Sequence, residues 1–373
     1  MKAICQLYMP SYYRSFGKNA LKEAINLLPD LKEVGFSGIY LIALWEDGSY
    51  DNGFDIVNYR VNLELGTDEE LKELIRKAHK LGLEVGVDIV PNHVSDRNIL
   101  AQNCLKRRTG YEDCLYVVSK EEAERLTEAG VPSFFGKKAY SDFGEKYVRS
   151  TFADYHQLNL NWGSEKVQEY FTRVFARLKS KGIDFARIDC GMMLLEDVSK
   201  ADPRNPMACM NPRASIEAIR KVAGGMKLFF EWFDPSSADL FNDLPECYAL
   251  DCSYVMTGKQ NLKWDHEKLI PLLGGHDQMT AADRHIDIAG AFRRMSESKY
   301  GFLDIQTLIG WTTQSCILPD DERYDADPGN PNQRYRARRP IRPVIARFRD
   351  RDKNPYVTRL IDKFRSCCTI TVH

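Results

Sequence analysis

Four apolar stretches of the sequence end in side chains that could carry out chemistry. GVDIVPNHVSD supplies Asp88, Asn92 and His93, GIDFARIDC supplies Arg187 and Asp189, LFFEWFD supplies Glu231, and LLGGHDQ supplies His276 and Asp277. A pair of carboxylates can provide a nucleophile and a proton donor. A lone carboxylate after an apolar run is usually a helix cap or a loop residue. Several carboxylates gathered at one mouth would be costly to bury without a purpose, so the pattern predicts a functional site built from strand ends.

Short apolar runs alternate with segments of helical period along the chain. The candidate strands are Ala3–Met9, Ser37–Leu44, Glu84–Val90, Phe185–Cys190, Lys227–Trp232, Tyr248–Ser253, Ile270–Gly274 and Thr313–Leu318. The candidate helices are Lys18–Lys32, Asp68–Leu81 with a capping box at Thr67 and Glu70, Ser164–Lys181, Pro212–Val222, Ile286–Tyr300 and Pro343–Phe364. Several strands are apolar nearly throughout, as expected for parallel strands buried on both faces. The alternation predicts an α/β fold, a (β/α)8 TIM barrel, whose strand ends share one face.

One connection interrupts this alternation. Residues 94–163 are too many for an ordinary loop after strand 3, so we expect a short inserted subdomain there. The remaining residues, 1–93 and 164–373, would form the barrel. The chain stops soon after the last predicted helix. We therefore expect no full C-terminal β-sandwich.

Composition limits the class of protein. Of the 373 residues 43% are hydrophobic and 28% are charged, with a net charge of -1. These values are ordinary for a soluble globular protein, and the near-zero charge provides no drive toward nucleic acid or an anionic membrane. No stretch approaches the roughly 20 apolar residues that span a bilayer, and the N-terminus lacks the long apolar region of a cleaved signal. The ten cysteines contain no CxxC pair, which indicates reduced core thiols. We expect a cytoplasmic protein without nucleic-acid or membrane partners. The sequence leaves its oligomeric state open.

The order and spacing of the four stretches resemble the α-amylase family of glycoside hydrolases, from about Met1 to Arg334. The family's DxxxNH motif is present as residues 88–93, and its GxRxD motif is loosened to FARID, which ends at Asp189. The third motif is the strand-end Glu231, and the fourth, usually NHD, is GHD at residues 275–277. One such match is weak, whereas four in order are specific.

Two further segments narrow the resemblance. YDNGFD at residues 50–55, followed by LGT at 65–67, is similar to the second loop of sucrose phosphorylases, trehalose synthases and exo-acting α-glucosidases. HQLNLNW at residues 156–162 is similar to the QPDLNW segment of the oligo-1,6-glucosidase and trehalose synthase branch. Both segments favour a short α-glucoside over starch as the substrate.

The resemblance implies a retaining enzyme in which three carboxylates act. Cleavage with retention needs a nucleophilic carboxylate and a carboxylic acid about 5–5.5 Å apart, on opposite faces of the sugar. Asp189 would be the nucleophile, kept ionised by the neighbouring Arg187. Glu231 would be the acid/base. Asp277 would hydrogen-bond sugar hydroxyls and help to distort the ring.

The resemblance also implies a set of sugar-binding side chains: Asp51, Phe54, His93, Arg187, His276 and Arg334. His93 and His276 would donate hydrogen bonds to the same sugar. Phe54 would stack on its apolar face. Asp51 would close the pocket at the non-reducing end, with Arg334 as its partner and Arg323 and Arg338 as alternatives.

The sequence departs from the calcium-binding amylases beside the nucleophile. Asp189 is followed by Cys-Gly-Met-Met rather than by His or Lys-His, and the first loop has no DxNxDG run. We therefore expect no metal and no cofactor, with Asn92 as a hydrogen-bonding residue. Gly275 stands where the family usually has Asn, which affects loop shape.

Other functions remain open on the same scaffold. A phosphorylase or an isomerase would start from the same glucosyl–Asp189 intermediate, and loop shape decides which acceptor reaches it. A non-catalytic barrel that binds a sugar or a protein typically loses one carboxylate, yet all three are present here. The Arg-rich run at residues 334–351 matches phosphate geometry but lacks an aromatic platform beyond Tyr335, which favours a surface helix.

Overall fold

The computed structural model describes residues 1–49, 51, 53–129, 138–144, 146–151, 156–196, 200, 202, 208–252, 267–274, 286–310 and 341–368. Within these ranges one sheet of eight parallel strands dominates: β1 (Lys2–Tyr8), β2 (Gly38–Ile42), β3 (Glu84–Ile89), β4 (Phe185–Ile188), β5 (Lys227–Trp232), β6 (Cys247–Asp251), β7 (Leu269–Ile270) and β8 (Tyr300–Asp304). The strands lie in the order β7-β6-β5-β4-β3-β2-β1-β8. Chain neighbours are therefore also neighbours in space, and β8 lies beside β1.

The two ends of the sheet meet between β7 and β8. Leu272, just after β7, forms a parallel bridge with Phe302 of β8. The Phe302 N–H donates to the Pro271 carbonyl at 2.9 Å, and the Leu273 N–H donates to the Phe302 carbonyl at 2.9 Å. The sheet thus curves back onto itself, and the predicted (β/α)8 TIM barrel is confirmed.

Aromatic side chains fill the interior of the barrel. The rings of Phe185, Phe229 and Phe302 meet edge-on, with centroids 4.9 to 6.1 Å apart. Gly86 makes room for them, because a Cβ there would lie 2.0 Å from the Phe185 ring. The barrel is a packed core rather than a pore, so chemistry is confined to its ends.

The predicted strands overlap the observed strands β1 to β7, but the predicted eighth strand does not overlap β8. That strand was predicted at Thr313–Leu318, which lies outside the described residues, whereas the strand that completes the barrel is Tyr300–Asp304. The placement of the eighth strand was therefore wrong. The five residues YGFLD are separated by only four residues from the helix Ile288–Met295, and over so short an apolar run the helical and extended patterns cannot be distinguished.

Helices connect the strands on the outside of the barrel and in its loops. They are α1 (Met9–Phe16), α2 (Ala20–Glu33), α3 (Asp68–Lys80), α4 (Ile99–Leu105), α5 (Lys120–Glu128), α6 (Glu165–Lys181), α7 (Pro212–Ala223), α8 (Ile288–Met295), α9 (Ile305–Leu308), α10 (Arg342–Arg349) and α11 (Pro355–Cys367). The predicted capping box is confirmed at α3, where Thr67 and Glu70 each accept the other's backbone N–H. None of the helices in the described ranges is long and apolar enough to cross a membrane.

The segment predicted as one helix over Pro343–Phe364 is two helices. Asn354 separates α10 from α11, and its side-chain oxygen accepts the backbone N–H groups of Tyr356 and Val357. Pro355 occupies the first position of α11, where its missing N–H costs nothing. The asparagine and proline therefore start a new helix after the polar run RDRDKN at residues 349–354, which interrupts the apolar pattern.

The connection between β3 and β4 forms its own small elements. His93–Ser95 pairs antiparallel with Gln157–Asn159, and Tyr147–Arg149 pairs with both Val117–Val118 and Tyr140–Asp142. Helices α4 and α5 lie in the same connection. The division into a barrel and a subdomain at residues 94–163 stays a prediction.

The cysteines within the described ranges are nine free thiols. Seven of them are buried, and Cys367 and Cys368 are half-buried. Buried thiols of this kind pack as small apolar side chains.

Candidate active site

Strands β3, β4 and β5 bring their last residues together at the carboxyl end of the barrel. The parallel register places Arg187 of β4 beside Asp88 of β3. The register also pairs Ile188 of β4 with Phe230 of β5, so Asp189 and Glu231 follow at the next position of neighbouring strands. The predicted convergence of these strand-end groups is thus a consequence of register.

One guanidinium lies among the three carboxylates. Nη1 of Arg187 donates to Asp88 at 2.9 Å and to Asp189 at 2.5 Å, and Nη2 lies 2.6 Å from Oε1 of Glu231. All four residues are at most 7% exposed. Burial opposes the positive charge of Arg187, but Glu231 and Asp88 outweigh it and raise the arginine pKa well above its usual value. The cluster therefore has three carboxylates to one fixed cation.

Cys190 fixes the second oxygen of Glu231. Its backbone N–H donates to Oε2 of Glu231 at 2.7 Å, and its φ of 49° is left-handed, which turns the chain sharply after Asp189. Burial, and then the charge of Asp189, raises the pKa of the Cys190 thiol well above its usual value. Both oxygens of Glu231 are thus held by donors from Arg187 of β4 and from Cys190, two residues beyond the strand.

His93 lies near Asp189 and is buried. Its Nδ1 is 3.1 Å from Oδ1 of Asn92, and its Nε2 is 3.2 Å from the carbonyl of Phe54. Burial lowers the pKa of His93 to about 4, so the ring is neutral at pH 7. Because both nitrogens already face protein oxygens, donation to a sugar requires one of these contacts to be exchanged.

The second loop of the barrel carries Asp51 and Phe54. Gly53 between them has a φ of 105°, and a Cβ there would lie 2.4 Å from the Cβ of Ala43, so only glycine fits this turn. Phe54 is buried, and Asp51 is half-buried. Nε2 of Gln157 donates to Asp51 at 3.2 Å, which joins this loop to the segment at residues 156–162.

The remaining site residues fall outside the described ranges. These are Asp277, His276 and Arg334, together with the alternative arginines 323 and 338. Of the nine residues predicted for the site, six are therefore described. Arg187 contacts both Asp189 and Glu231, His93 contacts Phe54, and Asp51 contacts Gln157.

Two neighbours of this cluster were not singled out from the sequence. Nε1 of Trp45 donates to the Asp88 carbonyl at 2.6 Å, and the Tyr59 hydroxyl bonds the N–H and carbonyl of Val90 at 3.0 and 3.1 Å. The two rings pack edge-on, 5.7 Å apart. They hold the end of β3 in place. Aromatic residues in a loop after a strand give no sequence signal that distinguishes such a role from ordinary core packing.

The described residues contain one group that could hold a metal ion. Ligand atoms of His93, Asp189 and Cys190 lie within 4.8 Å of one another. Two of these groups already have protein partners, since Nε2 of His93 faces the Phe54 carbonyl and Asp189 accepts from Arg187. The absence of a metal stays a prediction.

Comparison with known proteins places the chain in a family. Residues 6–225 match the model of the α-amylase catalytic domain, a stretch that includes Asp88, Arg187 and Asp189 and ends before Glu231. The chain is 29% identical over 190 residues to an oligo-1,6-glucosidase of Bacillus cereus, covering 50% of this chain and 34% of the relative. It is 28% identical over 260 residues to maltase 1 of Drosophila virilis, covering 66% of this chain and 37% of the relative. The chain thus spans about a third of the length of these curated relatives.

Solved structures agree on the fold. A trehalose-6-phosphate hydrolase of Bacillus licheniformis superposes with a TM-score of 0.77 at 15% identity, covering 99% of this chain and 84% of that one. A substituted trehalulose synthase superposes with a TM-score of 0.77 at 17% identity, covering 98% and 84%. At this identity the likeness shows the fold alone. The family match extends over more than half of the chain, and the protein belongs to the α-amylase catalytic-domain family.

Proposed function

We propose that the chain cleaves small α-glucosides with retention, as a hydrolase or a transglycosylase, through a covalent glucosyl–Asp189 intermediate. The observation that carries this proposal is the pair of buried carboxylates, Asp189 and Glu231, held on one guanidinium at the mouth of the barrel. Retaining cleavage needs two such groups, one ionised and one able to carry a proton. A structural ion pair needs only one carboxylate for its arginine.

The reaction proceeds in two displacements. Asp189 attacks the anomeric carbon, the bond to the leaving oxygen breaks, and Glu231 gives its proton to that oxygen. Glu231 then takes a proton from water or from another sugar hydroxyl, whose oxygen attacks the anomeric carbon and releases Asp189. Two inversions return the α configuration. Whether the product is free glucose or a new glucoside depends on which acceptor enters.

The hydrogen bonds of Glu231 determine which contact has to break before it can donate a proton. Its two carboxylate oxygens accept hydrogen bonds from the Arg187 guanidinium and from the Cys190 N–H. Donation therefore requires a proton on one oxygen and the exchange of one of these contacts for the glycosidic oxygen. Arg187 would remain on Asp189 and offset the charge that the carboxylate carries before attack.

The other predicted side chains complete the proposal without any cofactor or metal. Asp277 would bind sugar hydroxyls and distort the ring, with His93 and His276 donating to the same sugar. Phe54 would stack on the sugar. Asp51, with Arg334 as its proposed partner, would close the pocket.

The relatives support a small substrate. Their names refer to oligo-1,6-glucosidase, maltase and trehalose-6-phosphate hydrolase activity, all directed at short α-glucosides. The neighbouring trehalulose synthase keeps an isomerase open as the alternative, and a phosphorylase stays open beside it. A cytoplasmic location remains part of the proposal.

The direct test is fluoride release from α-glucosyl fluoride, with the anomeric configuration of the first product followed by NMR. This donor needs a nucleophile and a glucose pocket but no proton donor. We expect release by the wild type with an α-configured product, and none by Asp189→Asn. Glu231→Ala should lose much less activity on the fluoride than on an unactivated disaccharide. Azide, which needs no general base, should then react with the intermediate and give α-glucosyl azide.

The same assay distinguishes the alternatives. A β-configured first product, or full activity of Asp189→Asn, would contradict the proposed mechanism. Inorganic phosphate as acceptor would identify a phosphorylase, and a rearranged disaccharide would identify an isomerase. A non-catalytic sugar-binding barrel would be stabilised against heat by an intact α-glucoside that it never consumes.

A further inference from the structure

A groove on the outside of the barrel carries four arginines. It has a volume of about 470 Å³ and lies between the strand Ile56–Val61, helix α6 and the start of α4. Its arginines are Arg60, Arg97, Arg173 and Arg177, and no carboxylate is among its lining residues. The whole chain has a net charge of -1, so this positive charge is a local arrangement rather than a general property of the surface.

Two of these arginines are held by backbone carbonyls, and carboxylates act on them only from beyond ion-pair distance, Asp47 on Arg97 and Asp68 on Arg177. Arg177 donates to the carbonyl of Tyr59, and Arg97 donates to the carbonyl of Gly48 at 3.4 Å. A guanidinium has five N–H groups, so most of the donors on each stay available for a ligand. Among the described residues, neither arginine forms an ion pair with a carboxylate.

The other two arginines are also weakly compensated. Arg173 lies 3.7 Å from Glu169, but that carboxylate is closer to Lys166, at 2.9 Å. Arg60 is exposed and has no ion pair with any described carboxylate. Holding four guanidinium groups around one concavity costs electrostatic free energy, which a bound anion would return.

The floor of the groove is apolar and aromatic. Tyr59 and Tyr170 pack with centroids 6.4 Å apart, and Ile99 at the rim is 53% exposed. Asn98 ties α4 to the strand by donating to the Val57 carbonyl at 2.8 Å. The groove thus has a fixed shape and the size of a small-molecule site.

We propose that this groove binds a small phosphate ester, a phosphate group attached to an uncharged organic body. The forked guanidinium matches phosphate oxygens in pairs, and the apolar floor would take the organic part. The groove is separate from the cluster around Asp189. Tyr59 links the two, because its carbonyl holds Arg177 while its hydroxyl holds Val90 at the end of β3.

The test measures binding by calorimetry and by 31P NMR line broadening. The probes are glycerol 3-phosphate, glucose 6-phosphate and inorganic phosphate, with glucose as the uncharged control. We expect the phosphate esters to bind, more weakly at high salt, and to bind equally well to Asp189→Asn. Glucose at the same concentration should not displace them. These results do not depend on the activity of the candidate active site.

Paired variants locate the site. Arg60→Gln with Arg173→Gln should weaken phosphate-ester binding by about tenfold or more, since it removes charge-assisted donors from the groove. Arg76→Gln with Arg220→Gln removes the same charge from exposed positions on α3 and α7 and should leave the binding unchanged. Equal weakening by both pairs, or no effect of the groove pair, would overturn the proposal. So would millimolar esters that fail to bind while single-stranded DNA or anionic vesicles do.

Discussion

The two ends of the barrel handle charge in opposite ways. At the amino end one carboxylate, Glu84, lies between two lysines, 2.7 Å from Lys2 and 2.6 Å from Lys227. At the carboxyl end three carboxylates share a single arginine, Arg187. Glu84 is compensated and partly open to solvent, whereas the described cluster at the carboxyl end is buried and has three carboxylates to one guanidinium.

The difference shows that unfavourable electrostatic free energy is concentrated at the carboxyl end of the barrel. The amino end adds further favourable contacts, since Lys227 lies 5.0 Å and Lys299 5.6 Å from the centre of the Tyr300 ring. The carboxyl end gathers like charge that destabilises the folded state. In TIM barrels the amino face serves stability and the carboxyl face serves chemistry, and this chain shows that division in its charges.

The largest effect should come from removing a carboxylate at each end of β4. Asp189 follows the strand, and Asp184 precedes it and accepts from the Val85 N–H at 2.7 Å. Asp189→Asn should lower kcat/KM at least about 10³-fold while leaving stability equal or higher, because it removes one of three crowded charges. Asp184→Asn should keep kcat/KM and lose about 1 kcal/mol of stability.

Hydrolysis of α-glucosides and urea unfolding measure the two quantities on both variants. Loss of activity in Asp184→Asn, or its retention in Asp189→Asn, would contradict the assignment of stability to the amino end and chemistry to the carboxyl end.

Arg187→Met should destabilise the protein more than any single change at the amino end. It leaves Asp88, Asp189 and Glu231 buried without their cation, a change that costs about 3–5 kcal/mol. Adding Asp88→Asn should recover part of the loss, because one of the uncompensated charges is then removed. The measurement is urea unfolding at pH 7. Arg213→Met, which removes an exposed arginine paired with Glu217 and Asp243, is the control and should have a far smaller effect.

The stability of the carboxyl end should fall in acid because of His93. Its pKa is about 4 in the folded protein and about 6.5 in the unfolded chain. The unfolded state therefore binds more protons between these values, and this contribution to stability, complete above pH 6.5, is lost as the pH falls. The stability difference between wild type and His93→Gln should shift by about 3 kcal/mol between pH 7 and pH 4.

Urea unfolding of both proteins across this pH range provides the check. Parallel curves for wild type and variant would show that the imidazole titrates freely and is not buried as described.

The smallest effect is expected at the amino end, from Glu84→Gln. The two lysines outweigh partial burial and hold the pKa of Glu84 below its usual value of 4.5. Its contribution is therefore present above pH 4.5 and lost as the pH falls through the folded pKa. We expect a loss of about 1 kcal/mol at pH 7 that vanishes in acid, measured by urea unfolding. A loss that persists at pH 3 would indicate packing rather than charge.

The periodicity of apolar residues was sufficient to predict the barrel and the meeting of charged residues at its carboxyl end. Alternating apolar and amphipathic segments predicted the barrel, and the strand-end positions of Arg187, Asp189 and Glu231 predicted their meeting, because parallel strands share one end. The eighth strand was misplaced, since the helical and extended patterns cannot be distinguished over an apolar run as short as YGFLD. The split between α10 and α11 was missed although the polar run at residues 349–354 and the following Pro355 mark it.

Other features depend on packing that no local pattern encodes. The left-handed turn at Cys190, which presents its N–H to Glu231, has no glycine or asparagine to mark it. Trp45 and Tyr59 support the end of β3 from a pair of antiparallel strands, Trp45–Asp47 and Ile56–Val61. The four arginines of the groove come from three separate segments, so only the folded chain brings their charges together.

The central claim, that Asp189 at the carboxyl end is the nucleophile, is tested most directly by trapping the intermediate. 5-Fluoro-α-glucosyl fluoride glucosylates a retaining nucleophile and slows its release, and mass spectrometry of the digested protein locates the label. We predict one fluoroglucosyl unit on the peptide that contains Asp189, and none when an excess of α-glucoside competes. A label on any other residue would contradict this account.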